Sequence, residues 1–154
     1  MKIAARILSL MVLVALATFY VSCGGDGGNE KSDTDVQIEK LNGTWKVSSV
    51  TQDGAAPALN HDPMTLTIQG TAGNTTISFN VSGRPQGPSA WAPSGNLTFG
   101  SNVKQNLTRD DNVSINYSVT ETTLVMDFTF NRDAYQAGRV SSVQGSWHFE
   151  FTKQ

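Results

Sequence analysis

The sequence of 154 residues contains one cysteine, two histidines and few charged side chains. Cys23 is the single cysteine, so no disulfide can form within the chain. Lysine, arginine, aspartate and glutamate together make up 16% of the residues and leave a formal net charge of −2. This composition offers no basic patch of the kind that holds nucleic acid. We therefore expect no nucleic-acid partner.

Motifs of catalysis and metal binding are also missing. The chain has no Gly-x-Ser-x-Gly elbow, no phosphate-binding loop and no His-Glu-x-x-His. Its two histidines, His61 and His148, have no cysteine nearby and give no zinc set. His61 lies with Asp62 in a proline-bounded turn, and His148 shares with Glu150 a strand face that we expect to be exposed. The sequence therefore predicts no catalytic residue, metal or cofactor, and a protein that is not an enzyme.

An apolar run occupies the start of the chain. Lys2 and Arg6 precede this run, which extends from residue 7 to residue 21, and Ser22 follows it. The run is shorter than the roughly 20 residues of a membrane-spanning helix, and glycines follow it instead of a basic stop-transfer cluster. This arrangement is typical of a secretory signal peptide, which we assign to residues 1–22.

The position of Cys23 suggests what the lone thiol does. The residues 20–23, Tyr-Val-Ser-Cys, resemble a bacterial lipobox, which implies a diacylglyceryl group on the Cys23 sulfur and cleavage just before that residue. The alternative is ordinary cleavage near Ser22 with a free thiol left over. Lipidation implies a protein anchored to a membrane and not threaded through it. The expected location is the bacterial cell envelope, at the outer membrane, facing either the periplasm or the exterior.

Residues 23–39 contain glycine, polar and charged side chains and hardly any apolar ones. They predict a flexible tether. From residue 40 to residue 154, apolar and polar residues alternate, and turn-rich stretches interrupt the alternation. The alternating segments are 41–51, 64–69, 77–82, 97–99, 113–119, 124–130 and 145–153. Residues 102–112 are polar and turn-like, with Val103 and Leu107 as a short continuation of a strand, and a further strand is expected at Arg139 and Val140.

The first and last alternating segments open alike, with Gly43-x-Trp45 and with Gly145-x-Trp147. Period two places Trp45, Val47 and Ser49 on one face of the first strand, and Trp147, Phe149 and Phe151 on one face of the last. No useful window outside the signal peptide has the 3.6-residue period of a helix. The pattern predicts an all-β domain, an antiparallel up-and-down barrel of about eight strands in which the first and last strands pair. Such closure removes exposed strand edges.

The lipobox, the glycine-rich tether, L-x-G-x-W-x-V-x-S-V at residues 41–50 and G-x-W-x-F-x-F-x-K at residues 145–153 together resemble the small lipocalin-like lipoproteins of Bacteroidota, a family without an assigned activity. In lipocalins the glycine and tryptophan of the first strand close the base of the barrel. The resemblance gives that role to Gly43 and Trp45. A lipocalin arginine near the last strand packs across the indole, and Arg139 is the nearest match. The expected structural core comprises Gly43, Trp45, Arg139, Gly145, Trp147, Phe149 and Phe151.

The sequence does not decide what fills the barrel. Eight strands enclose either a core of side chains or one small ligand. Trp91, in the proline- and glycine-rich segment 83–95, is either a surface platform for a sugar or a partner, or a lid over the barrel mouth. We expect a non-catalytic binding role for a small apolar molecule or a glycan, with Trp91, Tyr117 and Phe128 as ligand-binding residues. The alternative is a structural lipoprotein with a solid barrel that docks an envelope protein partner.

Overall fold

The computed structural model describes residues 30–131 and 143–154, in which one helix is followed by eight strands. The helix α1 spans Asp33–Leu41, and the strands are β1 Gly43–Gln52, β2 Thr65–Gln69, β3 Thr76–Ser82, β4 Ser94–Phe99, β5 Asn106–Arg109, β6 Ser114–Val119, β7 Thr123–Phe130 and β8 Gly145–Lys153. The predicted signal peptide, Cys23, and the strand expected at Arg139 and Val140 lie outside the described residues. Within the described ranges, no helix combines the length and apolar content that crossing a bilayer requires.

The eight strands form one closed barrel in chain order. Each strand pairs antiparallel with the next, and β1 pairs antiparallel with β8. Trp45 of β1 lies opposite Leu66 of β2, and Gln52 of β1 lies opposite Trp147 of β8. The predictions of an all-β up-and-down barrel and of pairing between the first and last strands are therefore confirmed.

Alternate side chains of each strand point into the barrel and form one core. In β3 and β7 the buried and exposed positions follow period two almost without exception, as half-buried strands require. The buried core side chains on the strands include Trp45, Leu66, Ile68, Ile77, Phe79, Leu97, Leu107, Ile115, Met126, Phe128, Trp147, Phe149 and Phe151. The core is therefore rich in aromatic rings, most of them on β3, β7 and β8.

A β-bulge in β1 changes the predicted face of Ser49. Val47 pairs with Phe151, but the register then shifts, so Ser49 pairs with Glu150 and Val50 with Phe149. One extra residue in the bulged strand exchanges the faces of all the residues that follow it. Val50 therefore packs against the core, and Ser49 does not continue the inward row of Trp45 and Val47.

The prediction that the tether continues to residue 39 was wrong for its last part, since α1 begins at Asp33. The Ser32 side chain caps the helix by accepting a hydrogen bond from the Asp35 backbone N–H at 3.1 Å. Ile38 and Leu41, three residues apart on one face of the helix, are buried against the barrel. Residues 23–39 contain few apolar residues, so their composition indicated a tether and not a helix.

The polar segment 102–112 also contains more strand than predicted, because β5 occupies its centre. Leu107 and Arg109 are both buried in the barrel, while Thr108 between them is exposed. The charge of Arg109 interrupts the apolar pattern by which a strand is recognised. β5 nevertheless pairs with β4 and β6 and completes the barrel wall.

The two ends of the barrel differ. At the end where β1 begins and β8 ends, α1 packs beside β2 and β6; we call this the closed end. At the opposite end, which we call the mouth, β1 ends and β8 begins. The loops 53–64, 83–93 and 110–113 border the mouth.

Candidate functional site

Trp45 packs between the barrel and α1 at the closed end. Its side chain is fully buried, and its Nε1 donates a hydrogen bond to the Leu41 carbonyl of α1 at 2.8 Å. The Lys153 Nζ lies 5.0 Å from the indole centroid and donates to the Lys40 carbonyl at 3.1 Å. A lysine at the end of the last strand therefore occupies the place across this indole for which the sequence suggested Arg139. Arg139 itself lies outside the described residues.

Trp147 has the same local arrangement at the mouth. Its Nε1 donates to the Val143 carbonyl, again four residues earlier and at 2.8 Å. Gly145 adopts a φ of +135°, and the Asp53 carboxylate approaches it so closely that a Cβ would lie 2.4 Å from the Asp53 Oδ2. The Asp53 Oδ1 accepts a hydrogen bond from the Ser146 N–H at 2.8 Å. The two Gly-x-Trp motifs thus fasten the two opposite ends of the β1–β8 ribbon.

Trp91 lies inside the barrel and not on its surface. The four residues Ser89–Ala92 are all buried, and the Trp91 side chain is 0% exposed. Its ring contacts Phe79, Phe128 and Phe149 with centroid separations of 5.6, 5.5 and 6.0 Å. The segment Ser89–Ala92, which we call the plug, therefore enters through the mouth and fills the space between β3, β7 and β8. Of the two placements that the sequence left open, this geometry matches the lid.

A buried cation lies directly beside the plug. The Arg109 side chain is fully buried, and its Cζ lies 5.1 Å from the Trp91 ring, 5.4 Å from Phe128 and 5.7 Å from Phe130. The Asp111 carboxylate accepts two hydrogen bonds from it, at 2.9 Å from Nε and 2.8 Å from Nη2. This bidentate pair neutralises the charge and fixes the plane of the guanidinium group.

Sequence reasoning did not identify Arg109 or Asp111. The available signal was positional, because Arg109 stands in phase with Leu107 and with the inward residues of the neighbouring strands. A charged residue at a predicted inward position is rare unless it is paired. Asp111, two residues further on, supplies that pairing.

The plug is held by few polar contacts. The Arg84 Nη1 donates to the Trp91 carbonyl at 2.9 Å, and the Ser89 hydroxyl accepts from the Trp91 backbone N–H at 3.1 Å. Among the residues that the structure describes, none accepts a hydrogen bond from the buried Trp91 Nε1. A buried donor without an acceptor costs about 1–3 kcal/mol. Within the part of the chain that the structure describes, the buried Trp91 indole therefore carries a polar penalty that the indoles of Trp45 and Trp147 avoid.

Tyr117 belongs to a different part of the barrel from Trp91 and Phe128. Its buried hydroxyl lies within hydrogen-bonding distance of the Val103 carbonyl and of the Gln37 Oε1, at 3.3 Å from the latter. Burial raises the pKa of this hydroxyl above its usual value. The structure therefore brings together two of the three predicted ligand-binding residues, and it directs the hydroxyl of the third toward α1.

His61 lies at the mouth between the plug and β8. Its ring contacts Trp147 and Phe149 at centroid distances of 5.4 and 5.8 Å, and its Nδ1 lies 2.8 Å from the Leu59 carbonyl. Burial lowers the pKa of the His61 imidazole. A small cavity of about 20 Å³ borders this ring. His61 therefore has a packing role at the mouth, and burial favours the neutral form of its ring.

The outer wall carries a second concave feature near the mouth. A groove of about 680 Å³ runs over β6, β7 and β8 and is lined mostly by polar side chains: Thr51, Asn112, Ser114, Asn116, Asp127, Thr129, Asn131, Ser146 and His148. The His148 ring lies 2.7 Å from the Asp127 carboxylate and 3.3 Å from that of Glu150. The hydrogen bond to Asp127 is the main cause that raises the pKa of His148. In the described part of the chain, no group of three His, Cys, Asp or Glu side chains has an arrangement that could hold a metal ion.

A scan against models of known protein families and a search of curated proteins found no match to this chain. The closed eight-stranded barrel is compatible with a ligand-binding domain of the calycin kind. The contacts of the plug at the mouth are the observations that bear most directly on such a role.

Proposed function

We propose that this protein is a lipid-anchored, non-catalytic binding protein of the bacterial cell envelope. In this proposal it takes a small apolar ligand at the barrel mouth, in the space that the plug fills. One observation carries the proposal: Trp91, which is fully buried at the mouth, comes from a loop and not from a barrel strand. A filled core needs no such loop, because strand side chains can fill an eight-stranded barrel by themselves.

The surroundings of Trp91 define the chemistry of the ligand. Phe79, Phe128 and Phe149 contact the indole and are all buried. A molecule that replaced the indole would bury apolar surface at about 25 cal/mol per Å², and this gain would offset the cost of moving the plug. The site therefore favours an apolar ligand over a glycan.

The proposed anchor limits how far the barrel can lie from the membrane. Helix α1 begins ten residues after Cys23. Ten residues span at most about 35 Å when fully extended. A lipid on Cys23 would therefore keep the start of α1 within about 35 Å of the membrane surface.

The ligand-binding part of the proposal is tested with apolar probes. Naphthalene, decalin and decanol should each be titrated into the tether-free domain, residues 30–154, while its thermal unfolding is followed. Binding to the native state stabilises it by RT ln(1 + [L]/Kd), about 2.7 kcal/mol when the probe is at 100 times its Kd. Movement of the plug should also change the tryptophan fluorescence. If none of the probes shifted the unfolding midpoint at its solubility limit, the proposed binding role would be wrong.

The anchor is tested separately. Cells that express the full chain should incorporate labelled fatty acid into the protein, and the Cys23→Ser variant should not. A labelled Cys23→Ser protein would refute lipidation at this residue.

A second candidate function is docking of an envelope protein on the outer wall, with the barrel as a solid support. The groove beside His148 is the observation that favours it, since it is open, mostly polar and lined by residues of β6, β7 and β8. A photoreactive residue in place of His148 should then give one defined cross-linked product in cells. The same residue in place of Thr76, on the outer face of β3, should not.

A further inference from the structure

We infer that the slot occupied by the Trp91 indole is a binding site for an uncharged planar aromatic molecule, which Arg109 recognises through the face of its guanidinium group. The inference rests on the proposed function, because it names the ligand class of the same site. In the closed state Trp91 takes the place of the ligand.

The rings around the slot suit a flat aromatic group. Phe79, Phe128 and Phe149 meet the indole at interplanar angles of 77°, 87° and 86°. Edge-to-face contacts of this kind are favourable because the positive edge of one ring meets the negative face of another. A saturated molecule of equal size would fill the volume but would lack this electrostatic match.

Arg109 adds a second preference for aromatic rings. Its Cζ lies 5.1 Å from the indole centroid, within the distance at which a cation attracts a π face. Asp111 holds the guanidinium group through two hydrogen bonds, so the cation is already in place when a ring arrives. Asp111 already neutralises the guanidinium charge, so an anionic ligand would add an unpaired negative charge to a buried site. An uncharged ring adds no charge.

The surroundings of the Trp91 indole nitrogen refine the ligand class further. Among the described residues, no acceptor faces the buried Trp91 Nε1. A ring system without an N–H donor would fill the same slot without leaving a donor unsatisfied. The slot should therefore prefer a carbocycle such as naphthalene to indole, although its present occupant is an indole.

The test compares three probes of similar size on the Trp91→Ala variant: naphthalene, indole and decalin, the saturated counterpart of naphthalene. Calorimetric titration should give the order naphthalene, indole, decalin, with naphthalene at least 10-fold tighter than decalin. The wild-type protein should bind naphthalene more weakly than the variant does, because only the fraction of molecules with an open plug can bind. Arg84→Ala removes a hydrogen bond that holds the plug and should tighten naphthalene binding while Trp91 is retained.

Arg109→Lys is the variant that tests recognition by the guanidinium face. It keeps the positive charge but loses the planar group, so it should weaken naphthalene binding by roughly 2- to 30-fold. Decalin, which has no π face, should bind this variant as it binds the parent protein. If Trp91→Ala does not fold, the same comparison between Arg84→Ala and the double variant Arg84→Ala/Arg109→Lys provides the test.

The outcomes separate the inference from the proposed function. If decalin binds as well as naphthalene, or if Arg109→Lys weakens both equally, the aromatic class is wrong while the apolar binding site stands. If Trp91→Ala binds naphthalene but neither the wild type nor Arg84→Ala does, the plug does not open. In that case both the proposed function and this inference are refuted.

Discussion

Asp111→Ala should destabilise the barrel by about 3–5 kcal/mol, because it removes the carboxylate that neutralises a buried guanidinium group. The Arg109 side chain is 0% exposed and that of Asp111 is 14% exposed, so solvent can replace little of the lost interaction. The substitution removes the two hydrogen bonds from Arg109 and one from the Val113 N–H at 3.2 Å. Since domains of this kind are stable by about 5–15 kcal/mol, the loss would be a large share of the total.

Urea unfolding measures this loss directly. With an m-value of about 2 kcal/mol/M, the midpoint should fall by roughly 2 M. Asp110→Ala is the matched control, because the neighbouring carboxylate is exposed and accepts one hydrogen bond from the Asn96 N–H; it should cost about 0.5–1.5 kcal/mol. The double variant Arg109→Met/Asp111→Leu should recover most of the stability, because no buried charge then remains. Equal losses for Asp110→Ala and Asp111→Ala would refute the claim that the Arg109 charge depends on Asp111.

Three further predictions concern His61, His148 and Gly145. Because burial lowers the pKa of His61 below its ordinary value of 6.5, the free energy of unfolding should decrease as the pH falls from 6.5 through the folded-state pKa. NMR titration of the ring proton should give a pKa below 6.5, and a value above it would contradict the neutral packing role. The pKa of His148 is raised from 6.5, so its contribution should be complete below pH 6.5 and lost as the pH rises through the folded-state pKa. Asp127→Asn should return that pKa toward 6.5 in the same titration, and an unchanged value would show that Asp127 is not the main cause. Gly145→Ala should lower stability by about 1–3 kcal/mol through its positive φ and through the clash of the new Cβ with Asp53; an unchanged thermal midpoint would show that this backbone tolerates a side chain.

The barrel could be predicted because its signals are local and repeated. The alternation in β3, β6, β7 and β8 places apolar side chains on one face, and this alternation is what a half-buried strand requires. The matching Gly-x-Trp openings of β1 and β8 indicated that these strands pair, and in the structure they do. The alternation depends on neighbours in the sequence, and the repeated motif is found by comparing the two ends of the chain, so the sequence displays both directly.

The features that could not be predicted depend on distant partners. Helix α1 is stable because Ile38 and Leu41 find apolar surface at the closed end, which its own polar sequence does not reveal. Arg109 is tolerated inside the barrel because Asp111 and aromatic rings from β7 and the plug surround it. Lys153 reaches Trp45 because the first and last strands are adjacent in space. Each of these three contacts joins residues that only the folded barrel brings together, so the sequence alone does not indicate it.

The three tryptophans of the chain close the barrel in two different ways. Trp45 and Trp147 lie on β1 and β8, whose pairing completes the barrel, so neither indole can leave unless the strand ladder breaks. Trp91 lies on a loop between β3 and β4 and is held by Arg84 and Ser89. Local opening of a loop requires less free energy than unfolding of the strands that it connects. The first two tryptophans therefore stabilise the fold. The proposed binding site requires the third to leave the mouth while the barrel stays intact.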